Sequence, residues 1–295
     1  MSPTIPSTGF SDPPTSWPAV PLLSAKAYDE ASVFVADKLL REARRQRNLP
    51  EVDVPEVCVL DPDGDMVEWL VRSGRGVLHP GWACYHTKLY TYHLPSAVVG
   101  DADVDGDRSG REVGVVGCAV GSSFAVLVAE ELAASGCSLV VSVTSAGRIV
   151  PLGEPPYFVL IDRALRDEGT SLHYLPPGRW SSIDAALLDR LDGAFSGLDE
   201  PVRTGASWTT DAPLRETLTA IAAAEADGVV AVEMEAAALY AYAEACDRQV
   251  VCVAHVTNTM SADGNDFEKG EDGGTHRSFA VVAAIADRLA PRSPG

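Results

Sequence analysis

The feature that most restricts how this chain can fold is an alternation of short apolar runs with stretches of helical period. The apolar runs are EVCVL at 56–60, REVGVVGCAV at 111–120, CSLVVSVTS at 137–145, PYFVLI at 156–161 and VVCVAHVTN at 250–258. Helical patterns fall between several of them: FAVLVAEELAAS at 124–135, SIDAALLDRLDGAF at 182–195 and VEMEAAALYAYAEAC at 232–246. A strand without polar alternation must be covered on both faces. The pattern therefore predicts a mostly parallel sheet with helices on either side.

Around that core the chain is polar in recognisable places. Residues 1–24 are rich in Pro, Ser and Thr and read as a loose arm, which leaves 25–295 as one domain. Ala25 to Arg45 reads as a helix whose basic end, REARRQR, complements its dipole. DADVDGDRSGRE at 101–112 reads as a hairpin loop, since it lacks a full calcium-loop pattern. SADGNDFEKGEDGGTH at 261–276 is acidic and glycine-rich, and reads as a mobile loop before the final helix, RSFAVVAAIADRLA.

Charge and cysteine usage exclude whole classes. Lys and Arg number 23 against 42 Asp and Glu, a formal charge of −19, whereas a phosphate-backbone binder needs clustered cations. No nucleic-acid partner is expected. No apolar run approaches the ~18 residues of a membrane span, and the N-terminus lacks the basic and apolar regions of a signal peptide. Six cysteines form no CxxC pair, and several lie in apolar runs. A reducing cytoplasm, without disulfides or structural zinc, is the expected setting.

Three segments have the composition of a binding site. VGCAVGSSFAVLVAEEL at 116–132 runs strand, Gly-x-x-x-Gly turn, then a helix opened by Ser122 and Ser123. Free N–H groups at such a start suit an anion or a ribose hydroxyl, although a plain connector has the same form. It is not a Walker loop, because no Gly-Lys-Ser/Thr follows. VVSVTSAGRI at 140–149 ends a buried run in small and hydroxyl residues, at the strand end where open α/β sheets bind ligands. In VVAVEMEAAALYAYAEAC at 229–246, Glu233 and Glu235 stand between an apolar strand and an Ala-rich helix. Buried carboxylates need donors, which paired ribose hydroxyls supply; helix-dipole complementation is the alternative. No G-x-S-x-G elbow or HExxH spacing is present.

Taken in order, these segments resemble the nucleoside phosphorylase superfamily, which includes uridine phosphorylase, hexameric purine nucleoside phosphorylase and methylthioadenosine/S-adenosylhomocysteine nucleosidase. VLDPDGD at 59–65 resembles its first phosphate or water loop, with Gly64 as the loop glycine, and GCAVG at 117–121 its second glycine turn, ending in Gly121. SVTSAG resembles the central strand end, which places Ser145, Ala146 and Gly147 against substrate. GASWTTD at 205–211 resembles the base-stacking segment, with Trp208 on the base or, alternatively, in the core. Glu233-Met234-Glu235 resembles the ribose segment, with Met234 against the sugar and Glu235 on its hydroxyls. The resemblance implies an α/β fold: a single-domain three-layer sandwich, helices around a central mixed, largely parallel sheet. It also implies a small-molecule nucleoside as partner, assembly as a homodimer or homohexamer, and no cofactor, with phosphate as co-substrate in the phosphorylase branch.

Departures from the family pattern bear on mechanism. Phosphorylases hold their phosphate with two arginines. Alignment on Gly64 puts Glu68 at the first of these positions, and alignment on TSAG puts Ser142 at the second. In the nucleosidase branch the first position is the glutamate that activates water, so Glu68 is the expected general base and hydrolysis the preferred reaction; a surface-facing Glu68 at the helix start DMVEWLV is the alternative. Where purine-cleaving relatives carry Ser-Asp after the last strand, this chain has Thr257-Asn258, which favours an oxo-bearing base contacted by Asn258. Arg215 is placed to reach a base carbonyl or to stand in an exposed loop. Within GWACYHTKLY at 81–90, His86 or Lys88 would serve as a replacement cation in a phosphorylase. A nucleoside-binding sensor that has lost chemistry is the remaining alternative.

Overall fold

A computed structural model describes residues 21–24, 26–94, 110–258 and 269–290, with Asn258 described in its backbone only. The expected arm at 1–24 lies outside these residues apart from a 3-10 turn at Pro21–Leu23. Most of the 101–112 loop and the 261–268 part of the acidic loop also lie outside them.

The apolar runs become strands as their composition demands. In chain order the strands are β1 (Val57–Asp61), β2 (Val77–Leu78), β3 (Leu89–His93), β4 (Glu112–Gly117), β5 (Leu139–Arg148), β6 (Tyr157–Asp167), β7 (Trp180–Ser182), β8 (Val202–Thr210), β9 (Val229–Glu233) and β10 (Gln249–Asn258). The helices are α1 (Ala36–Arg47), α2 (Asp65–Arg72), α3 (Ser122–Ala133), α4 (Ser171–Tyr174), α5 (Ala185–Arg190), α6 (Leu218–Ala226), α7 (Ala236–Cys246) and α8 (Thr275–Leu289). Helices α1, α5 and α7 are shorter than their patterns suggested, α7 because 229–233 is taken by β9. The first begins at Ala36 rather than Ala25, and α5 ends at Arg190 because Gly193 adopts a positive φ of 67°.

The strands form one mixed sheet in the order β10-β6-β8-β9-β5-β1-β4-β3-β2, with β7 beside β6. A further pairing of β10 with β5 closes β5, β10, β6, β8 and β9 into a ring. Strands β1, β4, β5 and β10 run parallel, as do β6 and β8, while β9 meets β5 antiparallel. Both faces are dry: β1 is buried at every position, and α7 buries Ala236 through Tyr242 without interruption. Tyr240 lies at the centre, its hydroxyl donating to the carbonyl of Ile161 at 2.6 Å and accepting from the Cys252 amide at 3.0 Å. All six cysteines are free, and no described helix is long and apolar enough to cross a membrane.

One irregularity opens a cleft. Strand β1 accompanies β5 only as far as the Leu60–Ser142 pair, and β9 joins the same edge only from Gly147. Residues 143–146 therefore have one edge without a strand neighbour. Their polar groups must find other partners.

Candidate functional site

At that opening the backbone amide and the hydroxyl of Ser145 both donate to Asp63 Oδ2, at 2.8 and 2.6 Å. A side chain thus replaces the missing strand. Asp63 belongs to the turn between β1 and α2, whose other aspartates converge on the same place. Asp61 is buried, accepting the Gly64 amide at Oδ1 (3.1 Å) and the Val67 amide at Oδ2 (3.0 Å). Burial, with Asp63 and Asp65 beside it, raises its pKa to about 7 against the pull of those amides. Asp65 accepts a hydrogen bond from Lys269 Nζ at 2.5 Å, and the same ammonium lies 3.6 Å from Asp63 Oδ1. Burial disfavours that ammonium, but its hydrogen bond to Asp65 and the two carboxylate charges hold its pKa above the ordinary lysine value.

Asp61, Asp63, Asp65, Met66, Ser145 and His255 line a cavity of about 10 Å³. That volume accommodates roughly one water molecule. The turn following Lys269 closes one side of it. Gly274 has φ +75°, and a Cβ there would come within 2.4 Å of His255 Cε1, so only glycine fits. The segment read from sequence as a mobile polar loop therefore places Lys269 and a tightly packed turn against the cleft. Its polarity was legible, but the aspartates it answers lie some two hundred residues earlier.

The second half of the site is built by α7 and the glycine turn before α3. Glu233 is buried and fully engaged: Oε1 accepts the hydroxyls of Ser207 (2.9 Å) and Thr209 (2.5 Å), and Oε2 accepts the amides of Glu235 and Ala236, both at 2.7 Å. It thereby caps the start of α7 from two residues upstream. No acceptor is left for a ligand, so the expected substrate contact at Glu233 gives way to a role in fixing its neighbour. Glu235 accepts the Gly121 amide at 2.7 Å through Oε1, while its Oε2 is buried without a partner among the described residues. Gly121 presents that amide from φ +86°, ψ 148°, a backbone region that L side chains rarely enter. Ser122 ties the turn to α7 by donating to the Met234 carbonyl at 2.8 Å.

Burial, and then the charge of Glu233, push the pKa of Glu235 up to about 8. Burial also raises Glu233, against the pull of four donors that favour its carboxylate form. Asp63 contributes to the shift at Glu235, which sets the two halves of the site within electrostatic reach.

Other sequence expectations land elsewhere. Glu68 has a side chain 73% exposed and faces Arg72 at 3.9 Å, away from the cleft. In α2 the buried stripe is Met66, Trp69 and Leu70, so Met66 rather than Glu68 enters the site. Trp208 is buried with Ala206, Val229 and Val232, its indole N–H donating to Asp167 at 2.9 Å. It is core, because β8 is covered on both faces from Ala206 to Thr210. Arg215 lies on an exposed 3-10 turn at Pro213–Arg215, and His86 and Lys88 are exposed. Ala146 is buried, and Gly147 pairs with both Val232 and the backbone of Asn258. The side chain of Asn258 lies outside the described residues. Gly64 heads α2 at φ 85°.

A loop at the end of a central parallel strand, a glycine turn and a carboxylate at a helix start now stand within electrostatic reach of one another, in chain order. Among solved structures, uridine phosphorylase from Vibrio fischeri ES114 aligns over 80% of this chain and 94% of its own, with a TM-score of 0.62 and 17% identity. Purine nucleoside phosphorylase from Toxoplasma gondii, in complex with immucillin-H, aligns over 81% and 96%, with a TM-score of 0.64 and 15% identity. These likenesses establish the fold. No curated protein matches the sequence. Residues 63–287, a span from the Asp63 turn to the last turns of α8, match the phosphorylase superfamily, and the chain belongs to that family.

Proposed function

We propose that this protein cleaves the N-glycosidic bond of a nucleoside, with water as the acceptor. The observation that carries the reading is the wall of the cleft: Asp61, Asp63 and Asp65 line it against the ammonium of Lys269, with Glu235 within electrostatic reach. A phosphate dianion is repelled by such a wall, whereas a water gains a proton acceptor. Glu235 Oε2 takes the ribose hydroxyls. Asp63, 32% exposed and held by Ser145, takes the place foreseen for Glu68. As the water oxygen bonds to C1′ its proton passes to Asp63, while the C1′–N bond breaks and its electron pair leaves with the base. Asn258 is the group proposed to hydrogen-bond an oxo-bearing base. A homodimer or homohexamer in the cytoplasm is the proposed working state, in keeping with six free cysteines.

Phosphorolysis is the second reading. It is favoured by the names of the structural neighbours and by Lys269, a cation already in the cleft. A nucleoside panel assayed with and without phosphate separates the two. The expected result is free base and free ribose without phosphate, with Asp63→Asn about 10²–10³-fold slower. Strict phosphate dependence with ribose 1-phosphate as product would overturn the hydrolytic reading. Release of no base under either condition would leave a binding protein.

The pH profile tests Glu235 separately. The carboxylate must be ionised to accept from the ribose, and in the free protein its pKa is raised to about 8. Below that value kcat/KM is expected to rise about tenfold per pH unit, then level off. A profile flat from pH 6 to 9 would remove Glu235 from the ribose site.

A further inference from the structure

His255 is a buried polar group of the cleft that the hydrolytic reading leaves without a role. It is 4% exposed, and its Nε2 is buried with no hydrogen-bond partner among the described residues. Parallel register along β5 and β10 sets it beside Ser145, and antiparallel register sets it beside Phe158 of β6. Its ring stacks on Phe158 with centroids 4.5 Å apart and planes 14° from parallel. Gly274 presses on the imidazole edge, as its missing Cβ shows. A ring held at both places cannot turn its unpaired nitrogen toward bulk solvent.

The imidazole also stays uncharged. Burial first, then Arg277 and Lys269, lower its pKa to about 4, against the opposing pull of Asp63 and Asp65. At neutral pH Nε2 is therefore either a lone-pair acceptor or a neutral N–H. An unpaired buried polar atom is costly, and His255 lines a water-sized cavity that can supply its partner.

We propose that His255 holds the attacking water: Nε2 accepts one of its hydrogens while Asp63 accepts, and then takes, the other. With both hydrogens engaged, an oxygen lone pair is left to face C1′. The water is oriented as well as deprotonated. This inference rests on the hydrolytic reading, and its test keeps the two apart.

The first arm is the wild-type protein with nucleoside and no phosphate, where ribose release supports the parent reading whatever His255 does. The second arm compares His255→Leu and His255→Gln, with thermal melting to confirm folding. The Leu variant is expected to lose about 10²-fold in kcat with KM within a few-fold, and Gln, which keeps an acceptor, to recover about tenfold of that loss. In water–methanol mixtures, the ratio of methyl riboside to ribose is expected to rise in His255→Leu. Methanol has one O–H and never uses the second acceptor, whereas a purely structural defect slows both products alike.

Should His255→Leu fail to fold, the Gln variant's partition ratio and a crystal structure of the wild type decide: an ordered water within about 3 Å of Nε2 is required. A folded His255→Leu with kcat within twofold of wild type, or an unchanged partition ratio, overturns the assignment while leaving phosphate-free hydrolysis intact.

Discussion

Glu235→Gln is expected to lower kcat/KM by about 10³–10⁴-fold on any accepted nucleoside while the protein stays folded. Two hydrogen bonds to a charged acceptor contribute about 1.5–3 kcal/mol each, and every 1.4 kcal/mol is a factor of ten. Burial makes the upper part of that range the appropriate one, because the ribose meets no competing water there. The amide keeps the volume and one acceptor, so the Gly121 contact survives. As the sugar gains positive charge, a negative oxygen beside its hydroxyls gains in worth, which directs the loss to kcat more than to KM. Steady-state kinetics with circular dichroism checks it. Turnover within tenfold of wild type would remove Glu235 from the chemistry.

Glu233→Ala is expected to have the largest effect on stability. It leaves two buried hydroxyls and the first amides of α7 without their acceptor. Breaking such a network costs about 3–4 kcal/mol, or roughly 10 °C in melting temperature for a domain of this size. Glu68→Ala is the matched control, since an exposed ion pair contributes within about 1 kcal/mol. Equal melting temperatures for the two variants would show that the Glu233 network is idle. The contrast also divides the motif Glu233-Met234-Glu235 by labour: the first carboxylate builds the helix start, and the second is presented by it.

Much of this was legible from sequence, and the misses have specific causes. Alternating apolar runs located β1, β4, β5, β6 and β10, because strands covered on both faces need no polar residues. The glycine turn and the Glu235 segment were legible as local signals. Glu68 was misplaced because loop alignment counts residues, while a helix sorts them by angle. Met66, Trp69 and Leu70 claim the inner face of α2, and Glu68, two residues past Met66, is turned outward. Trp208 stayed open between base and core because an aromatic in a strand gives no sign of whether its neighbours leave a face open. Lys269 and His255 escaped notice for a different reason. One lies in a polar segment and the other in an apolar run, and neither has meaning until α8 folds back over the Asp63 turn.

The ring of β5, β10, β6, β8 and β9 has a consequence for how the molecule breathes. A stretch of strand paired on both sides within such a circuit has no free edge from which hydrogen bonds can unzip, so its amides exchange only when the circuit itself opens. The turn at 62–64 and the 269–274 segment are tethered mainly by side chains, and they detach by local opening. Amide exchange should therefore divide the cleft in two. The wall carrying Ala254 and His255, paired to β5 on one side and β6 on the other, exchanges on the timescale of global unfolding. The wall carrying Asp63 and Lys269 exchanges orders of magnitude sooner, with the Ser145 amide that Asp63 holds. On the proposed reading, a nucleoside would enter and leave past the fast wall, against a slow one that keeps its shape.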